Sequence, residues 1–187
     1  TQDPSFWDDP KKAELHLKNI KKKKIWTDAW ATVNAGVEEI EVLQEFKEIL
    51  DATFAHELTT GAEAVATNYR FQHPKFAPGQ VLDHNDHTYW AVDDTVLSCE
   101  LIVILSEEKQ FDRILIQEPI QYGQRISQFE IDLYEENQWK TVFQGTTIGY
   151  KRLLRIQAAQ ASKIRLRILK ANNTIAISNF AVYKSVE

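Results

Sequence analysis

Gln128-Phe129-Glu130-Ile131-Asp132-Leu133 and Lys163-Ile164-Arg165-Leu166-Arg167-Ile168 each alternate one apolar with one polar side chain. A period of two sends successive side chains to opposite faces, so each run reads as a strand with one dry and one wet face. Around them lie further strand-length apolar runs at 99–105, 111–117, 139–143, 150–156 and 175–183. Short polar connectors such as Glu135-Glu136-Asn137 and Asn172-Asn173 separate several of them. Seven or eight strands at this spacing, with no helical run between them, predict a mainly β fold, an antiparallel sandwich or jelly roll.

Upstream of Gly61 the period changes. Asp9 is placed to cap a helix over 9–20, Pro10 suits its first position, and Ala13, Leu17 and Ile20 share a face. Lys21-Lys22-Lys23-Lys24 then falls where positive charge complements a helix C-terminus; a solvated end or an anion-binding patch are the two readings. A second helix is predicted over 37–58, with Ile40, Leu43, Phe46, Leu50 and Phe54 spaced by three or four residues. Its apolar stripe needs a surface to cover it. The chain therefore divides into a helical lead-in over 1–60 and a β-sandwich over 61–187.

The 187 residues are 43% apolar and 26% charged, which is enough to build one ordinary core and too apolar for a disordered chain. Twenty-two basic against 27 acidic side chains leave a net charge of −5, which argues against duplex nucleic acid as a partner. Nothing is long and apolar enough to span a bilayer. One cysteine, Cys99, excludes an intrachain disulfide. The lack of any Met points to a processed or excerpted piece of a longer product.

Chemistry-bearing candidates are few. Asp83-His84-Asn85-Asp86-His87-Thr88 collects carboxylates, imidazoles, an amide and a hydroxyl, and three readings stay open: a polar turn, a calcium loop, or a zinc site. It lacks the glycine and the twelfth-position glutamate of an EF-hand. Among the aromatics that could stack on a sugar ring, Trp90 is assigned to the core, whereas Tyr122 and Tyr150, beside glycines, are assigned to the surface. No Gly-x-Ser-x-Gly, phosphate-cradling loop or His-Glu-x-x-His occurs, and Cys99 sits in an apolar strand where a thiol is inert.

Five stretches occur in a distinctive order: Val81-Leu82-Asp83 leading to Thr88-Tyr89-Trp90-Ala91; Ile114 to Glu118 leading to Gly123-Gln124-Arg125; Gly145-Thr146-Thr147-Ile148-Gly149-Tyr150-Lys151-Arg152; Ala161 to Ile168; and Ala176-Ile177-Ser178. With these, residues 37–187 resemble the C-terminal β-sandwich of bacterial and plant-type α-L-fucosidases, a module related to the discoidin-like, factor V/VIII type C fold. The resemblance implies a parent retaining glycosidase that removes terminal α-L-fucose, secreted or periplasmic, with a catalytic (β/α)-barrel that is not found in this sequence. It implies a non-catalytic role for this chain, with the barrel as its partner and fucosylated glycans as a second one. The rival reading is a free-standing carbohydrate-binding module.

Under the same resemblance, Tyr122, Gln124, Arg125, Tyr150, Lys151 and Arg152 serve barrel docking or sugar contact. Asp83, Asp86, Thr88 and Asn179 take the places of ligands to a structural calcium, and no other cofactor is required. His84 stands where glycine is common in such modules, and Asn179 stands where they carry a glutamate. Residues 1–36 match nothing in the family, and two readings stand for them: a remnant of the barrel, or segments brought together by omitted residues.

Overall fold

A computed structural model describes residues 8–185. The described residues divide into two compact units between Leu50 and Asp51, upstream of the change in period at Gly61.

The first unit is helical. Helix α1 runs unbroken over Pro10–Thr53. Its start follows expectation: the Asp9 carboxylate accepts the Lys12 N–H at 3.2 Å, and Pro10 opens the first turn. The two expected helices are one, however, because Lys21 to Lys24 are good helix formers and no proline intervenes. The lysine run is therefore mid-helix and not a helix end. The helix also stops short of the predicted Leu58. His56–Glu57 form strand β1, and the Leu58 N–H donates to Val182 O at 2.9 Å, so sheet pairing captures the chain just past Thr53.

In the second unit, strands β2 (Glu63–Ala66), β3 (Trp90–Ala91), β4 (Cys99–Gln117), β5 (Ile126–Glu135), β6 (Gln138–Gly145), β7 (Arg152–Ala171), β8 (Ala176–Ile177) and β9 (Asn179–Lys184) are all antiparallel. The large sheet runs β1-β9-β4-β7-β5-β6 with β2 also on β4, and β3 pairs with β8. Sequence spacing predicts two strands each where β4 and β7 stand. They are continuous because 106–110 and 157–162 contain no Gly or Pro to turn the chain. Instead β4 and β7 stay paired and slip register between Ile104 and Lys109 and again between Phe111 and Arg113. Such slips bend a strand and increase its twist. The first half of β4 pairs with β2 and its second half with β9, so the curled sheet makes both leaves of the sandwich. The run expected at 175–183 is conversely two strands, broken at Ser178, whose N–H donates to Gln117 O.

Between the leaves lie Leu101, Val103, Phe111, Ile116, Phe129, Ile131, Ile164, Leu166 and Phe180, all buried. Each such side chain stabilises by about 1.5–3 kcal/mol relative to exposure. Trp90 is fully buried, as expected, and its indole N–H donates to Asn68 O at 2.9 Å. Gly145 is required by close approach: a Cβ there would lie 2.6 Å from Phe129 Cε1. Buried Cys99 has its thiol pushed up to about 12 by desolvation, in keeping with an inert role.

The face expected to be wet is wet only at its margin. Asp132 is 1% exposed and accepts Arg167 Nε at 2.7 Å, Arg165 Nε at 2.9 Å and the Thr141 hydroxyl at 2.7 Å. Arg167 also pairs with Glu130, and Arg165 lies 4.4 Å over the Trp139 ring. Desolvation is the largest single influence on Asp132 and opposes its charge. The bonds from Arg167, Thr141 and Arg165 together outweigh it, so the carboxyl titrates below its usual range. A depressed folded pKa contributes stability above the unfolded value of about 4, and that stability is lost as pH falls through the folded pKa. Asp132→Asn is expected to lose about 2–3 kcal/mol near neutral pH, below the figure for a fully buried pair because the arginines reach solvent. Its melting temperature should then fall less than that of the parent on acidification below pH 4. Thermal melts of both proteins across that interval check this, and parallel curves would contradict it.

Candidate functional site

Glu118 follows the last residue of β4 and is 2% exposed. Its Oε1 accepts the N–H groups of Arg125 (2.7 Å) and Ile126 (3.1 Å), and its Oε2 accepts the N–H of Gly149 (2.7 Å). The Glu118 N–H donates in turn to Gly149 O at 2.9 Å. Burial pushes this carboxyl upward, against the three N–H groups that favour its charge. One side chain thereby holds the β4–β5 loop to the β6–β7 loop, joining the two stretches that carry the expected Gly-Gln-Arg and Tyr-Lys-Arg residues. Gly123 (φ 69°) and Gly149 (φ 71°) turn these loops in the left-handed region, which glycine adopts without penalty.

Arg125 is held from three sides. Its Nε donates to Tyr122 O at 3.3 Å, its Nη1 donates to Thr174 O at 3.0 Å, and its guanidinium lies 4.9 Å from the Tyr122 ring centre. Tyr122 is 44% exposed, and its hydroxyl shares a 2.8 Å hydrogen bond with the hydroxyl of Tyr89. Burial first, and this bond second, push Tyr89 up to about 12. Arg70 pairs with Asp94, which also accepts the Thr174 hydroxyl at 3.0 Å. Beside it, Asp93 accepts Asn68 Nδ2 (2.9 Å) and the Phe71 N–H (3.0 Å), bonds that hold its carboxyl below the usual range. The Phe71 N–H is thus held by Asp93 and the Gln72 N–H donates to Tyr69 O at 3.2 Å; the two residues lie at φ 55° and 53°, a left-handed pair that costs about 1–3 kcal/mol per residue. These residues surround a cleft of about 360 Å³ lined by Arg70, Tyr89, Asp94, Tyr122, Arg125, Asn173 and Thr174.

Of the residues expected from sequence, Tyr122 and Arg125 line the cleft, and Gln124 is exposed on the same loop. Tyr150 (53% exposed) and Lys151 are open to solvent outside it. Arg152 is half-buried at the start of β7, and its Nε has no hydrogen-bond partner. Arg70, Asp94, Asn173 and Thr174 carry no such sequence signal, since they come from three loops that only the sandwich topology gathers, and Tyr89 lies in a quoted stretch without an assigned role.

The Asp83 loop is closed on itself. Asp83 Oδ1 accepts the Asn85 N–H, Asp83 Oδ2 accepts the Thr88 hydroxyl at 2.6 Å, and Asn85 Oδ1 accepts the His87 N–H. His84 has φ 56°, in the left-handed region that glycine adopts without penalty. Asn179 Oδ1 is buried without a hydrogen-bond partner, on a strand that packs against the Pro78–Leu82 turn leading into this loop. Among the described residues no group of three or more His, Cys, Asp or Glu is placed to hold a metal ion. Carboxylate, hydroxyl and amide oxygens, one of them orphaned, are the donor types that suit a hard cation.

The fold and the loop-end cleft define a discoidin-like β-sandwich. Residues 60–181 match the F5/8 type C domain, and the chain belongs to that family. It is 31% identical over 150 residues to alpha-L-fucosidase 1 of Arabidopsis thaliana, a match covering 78% of this chain and 30% of that protein. A Ruminococcus gnavus GH29 fucosidase solved in complex with fucose is 34% identical with a TM-score of 0.71, over 79% of this chain and 30% of that one. The family 32 CBM from C. perfringens NanJ, at 17% identity and a TM-score of 0.62, shares the fold over 69% of this chain and 98% of its own. The chain thus spans about 30% of the length of its fucosidase relatives.

Because both used nitrogens of Arg125 bond to backbone oxygens of this chain, Arg125→Ala is expected to destabilise the sandwich itself. Two hydrogen bonds and one cation–π contact amount to about 2 kcal/mol, or about 4–8 °C in melting temperature. A melt of the variant within 1 °C of the parent, on the order of the measurement error, would show that Arg125 is free for an outside partner.

Proposed function

We propose that this chain is the non-catalytic C-terminal region of an α-L-fucosidase whose full-length form removes terminal α-L-fucose from glycoconjugates. The observation that carries the reading is the match to fucosidases at 31–34% identity over a share of only about 30% of their length. The carboxyls of this chain support it. A retaining glycosidase needs two carboxyl groups about 5–5.5 Å apart, one of them kept protonated as the acid. Glu135 and Glu136 instead face Lys140 at 3.4 and 2.8 Å, and that bond holds Glu136 below its usual range. Glu118 is engaged by three backbone donors, and Asp94 is engaged by Arg70 and Thr174.

The partner in this reading is the catalytic barrel of the same protein. Val37, Ile40, Leu43 and Phe46 on α1 are each about half exposed, and an apolar stripe of this kind suits a covering domain. Tyr150 and Lys151, both open to solvent, with the half-buried Arg152 beside them, offer a polar docking edge. The cleft with Tyr122, Gln124 and Arg125 is the place for glycan capture. A secreted or periplasmic protein is in keeping with this role; no described helix is long and apolar enough to cross a membrane. Asp83, Asp86, Thr88 and Asn179 would hold a structural calcium, whose chemistry there is to cross-link the loop to β9.

Two measurements test these proposals. The full-length protein should hydrolyse an aryl α-L-fucoside and the purified 187-residue chain should not; turnover by the chain that disappears on mutating one of its own acids would overturn the non-catalytic role. Saturating calcium should raise the melting temperature of the chain by mass action, and Asp83→Asn should abolish the rise. Identical melts in calcium and in chelator would remove the calcium site.

A further inference from the structure

The cleft between the β4–β5 and β7–β8 loops is lined by two guanidiniums and an amide NH₂ against one carboxylate. A guanidinium carries five N–H groups. Arg125 uses Nε on Tyr122 O and Nη1 on Thr174 O, which leaves the other N–H groups open. Arg70 is paired with Asp94 through Nη2, and its Nε is buried out of a ligand's reach. Asn173 accepts the Thr174 N–H through Oδ1 at 2.7 Å, so its NH₂ remains a donor. Tyr89 and Tyr122 share one hydroxyl proton between them and keep the other, since Tyr89 stays protonated far above neutral pH. On the acceptor side the cleft has one carboxylate, Asp94, whose Oδ1 is engaged by Arg70 and Thr174 and whose Oδ2 stays open. The neighbouring Asp93 is engaged by Asn68 and Phe71. Two guanidiniums against one carboxylate make the lining net positive.

A neutral sugar presents hydroxyls but no charge, so it leaves the second guanidinium of the lining without a counter-charge. An oxyanion accepts only, and a carboxylate or sulfate matches the fork of a guanidinium in geometry and charge. We infer that this cleft selects saccharides bearing a carboxylate or sulfate group, with Arg70, Arg125 and the Asn173 amide on the anion and Tyr122 beside the sugar ring. The inference rests on the reading that the cleft captures glycans, and it adds the chemical class of the glycan.

Titration of the 187-residue chain by calorimetry with methyl galacturonoside, galactose 6-sulfate, methyl galactoside, methyl fucoside and inorganic sulfate tests it. The two acidic sugars should bind at least about tenfold more tightly than the neutral glycosides, a difference that shrinks as salt is raised. Arg70→Gln should remove the preference. Should that variant not fold, Asn173→Asp provides a second route: it keeps the acceptor for the Thr174 N–H and places a negative charge in the cleft, so acidic sugars should weaken about tenfold or more. Neutral glycosides binding as tightly as acidic ones would overturn the selectivity and leave glycan capture standing. Inorganic sulfate binding as tightly as galactose 6-sulfate, or Asn173→Asp binding acidic sugars as well as the parent, would also overturn it. Failure of every saccharide to bind would overturn both readings.

Discussion

The carboxylate of Glu118 sits at the end of β4 with three backbone N–H groups aimed at it, and the loop end of the sandwich is organised around that point. A buried carboxylate is costly unless its oxygens are engaged, so the two loops that supply those N–H groups are constrained together. Once Arg125 N–H is fixed, its side chain reaches Thr174 on the far loop. Thr174 in turn meets Asp94, and Asp94 meets Arg70. The cleft is the space this chain of contacts encloses.

What places Glu118 there is the pairing of β4 with β7. Both strands are long enough to serve two leaves, and their register slips let the sheet curl without breaking. The buried Asp132–Arg165–Arg167 cluster ties β5 to β7 on the outer face of one leaf, where a plain alternation of polar residues would have left solvated charge. Fold and site thus share one frame: strands whose ends are fixed by packing, and loops whose conformations are fixed by buried hydrogen bonds.

The fold class was legible because a period of two is imposed directly by the pleat, and 129–133 and 164–168 show it without ambiguity. The continuity of β4 and β7 was not, because Ser106 to Gln110 looks like a connector in composition, and only long-range pairing shows that it remains extended. Similarly, Lys21 to Lys24 ends a helix or continues one with equal local plausibility, and helix propensity favoured continuation. At the site, Tyr122 and Arg125 could be singled out beside Gly123. Arg70, Asp94 and Asn173 could not, since each is an ordinary polar loop residue until topology gathers them. That Arg125 is bonded within its own domain is likewise a tertiary fact that its surface-like loop sequence conceals.

The account turns on Glu118 as the buried acceptor that preorganises the cleft, and amide hydrogen exchange reads this directly. The N–H groups of Arg125, Ile126 and Gly149 lie in loops, yet with their bonds to Glu118 they should exchange as slowly as the amides of Ile114 to Ile116 in the core of β4. In Glu118→Ala, which leaves none of the three an acceptor, they should become fast while the β4 amides stay slow. Fast exchange at these positions in the unaltered chain, at the rate of a solvent-exposed loop, would contradict the account.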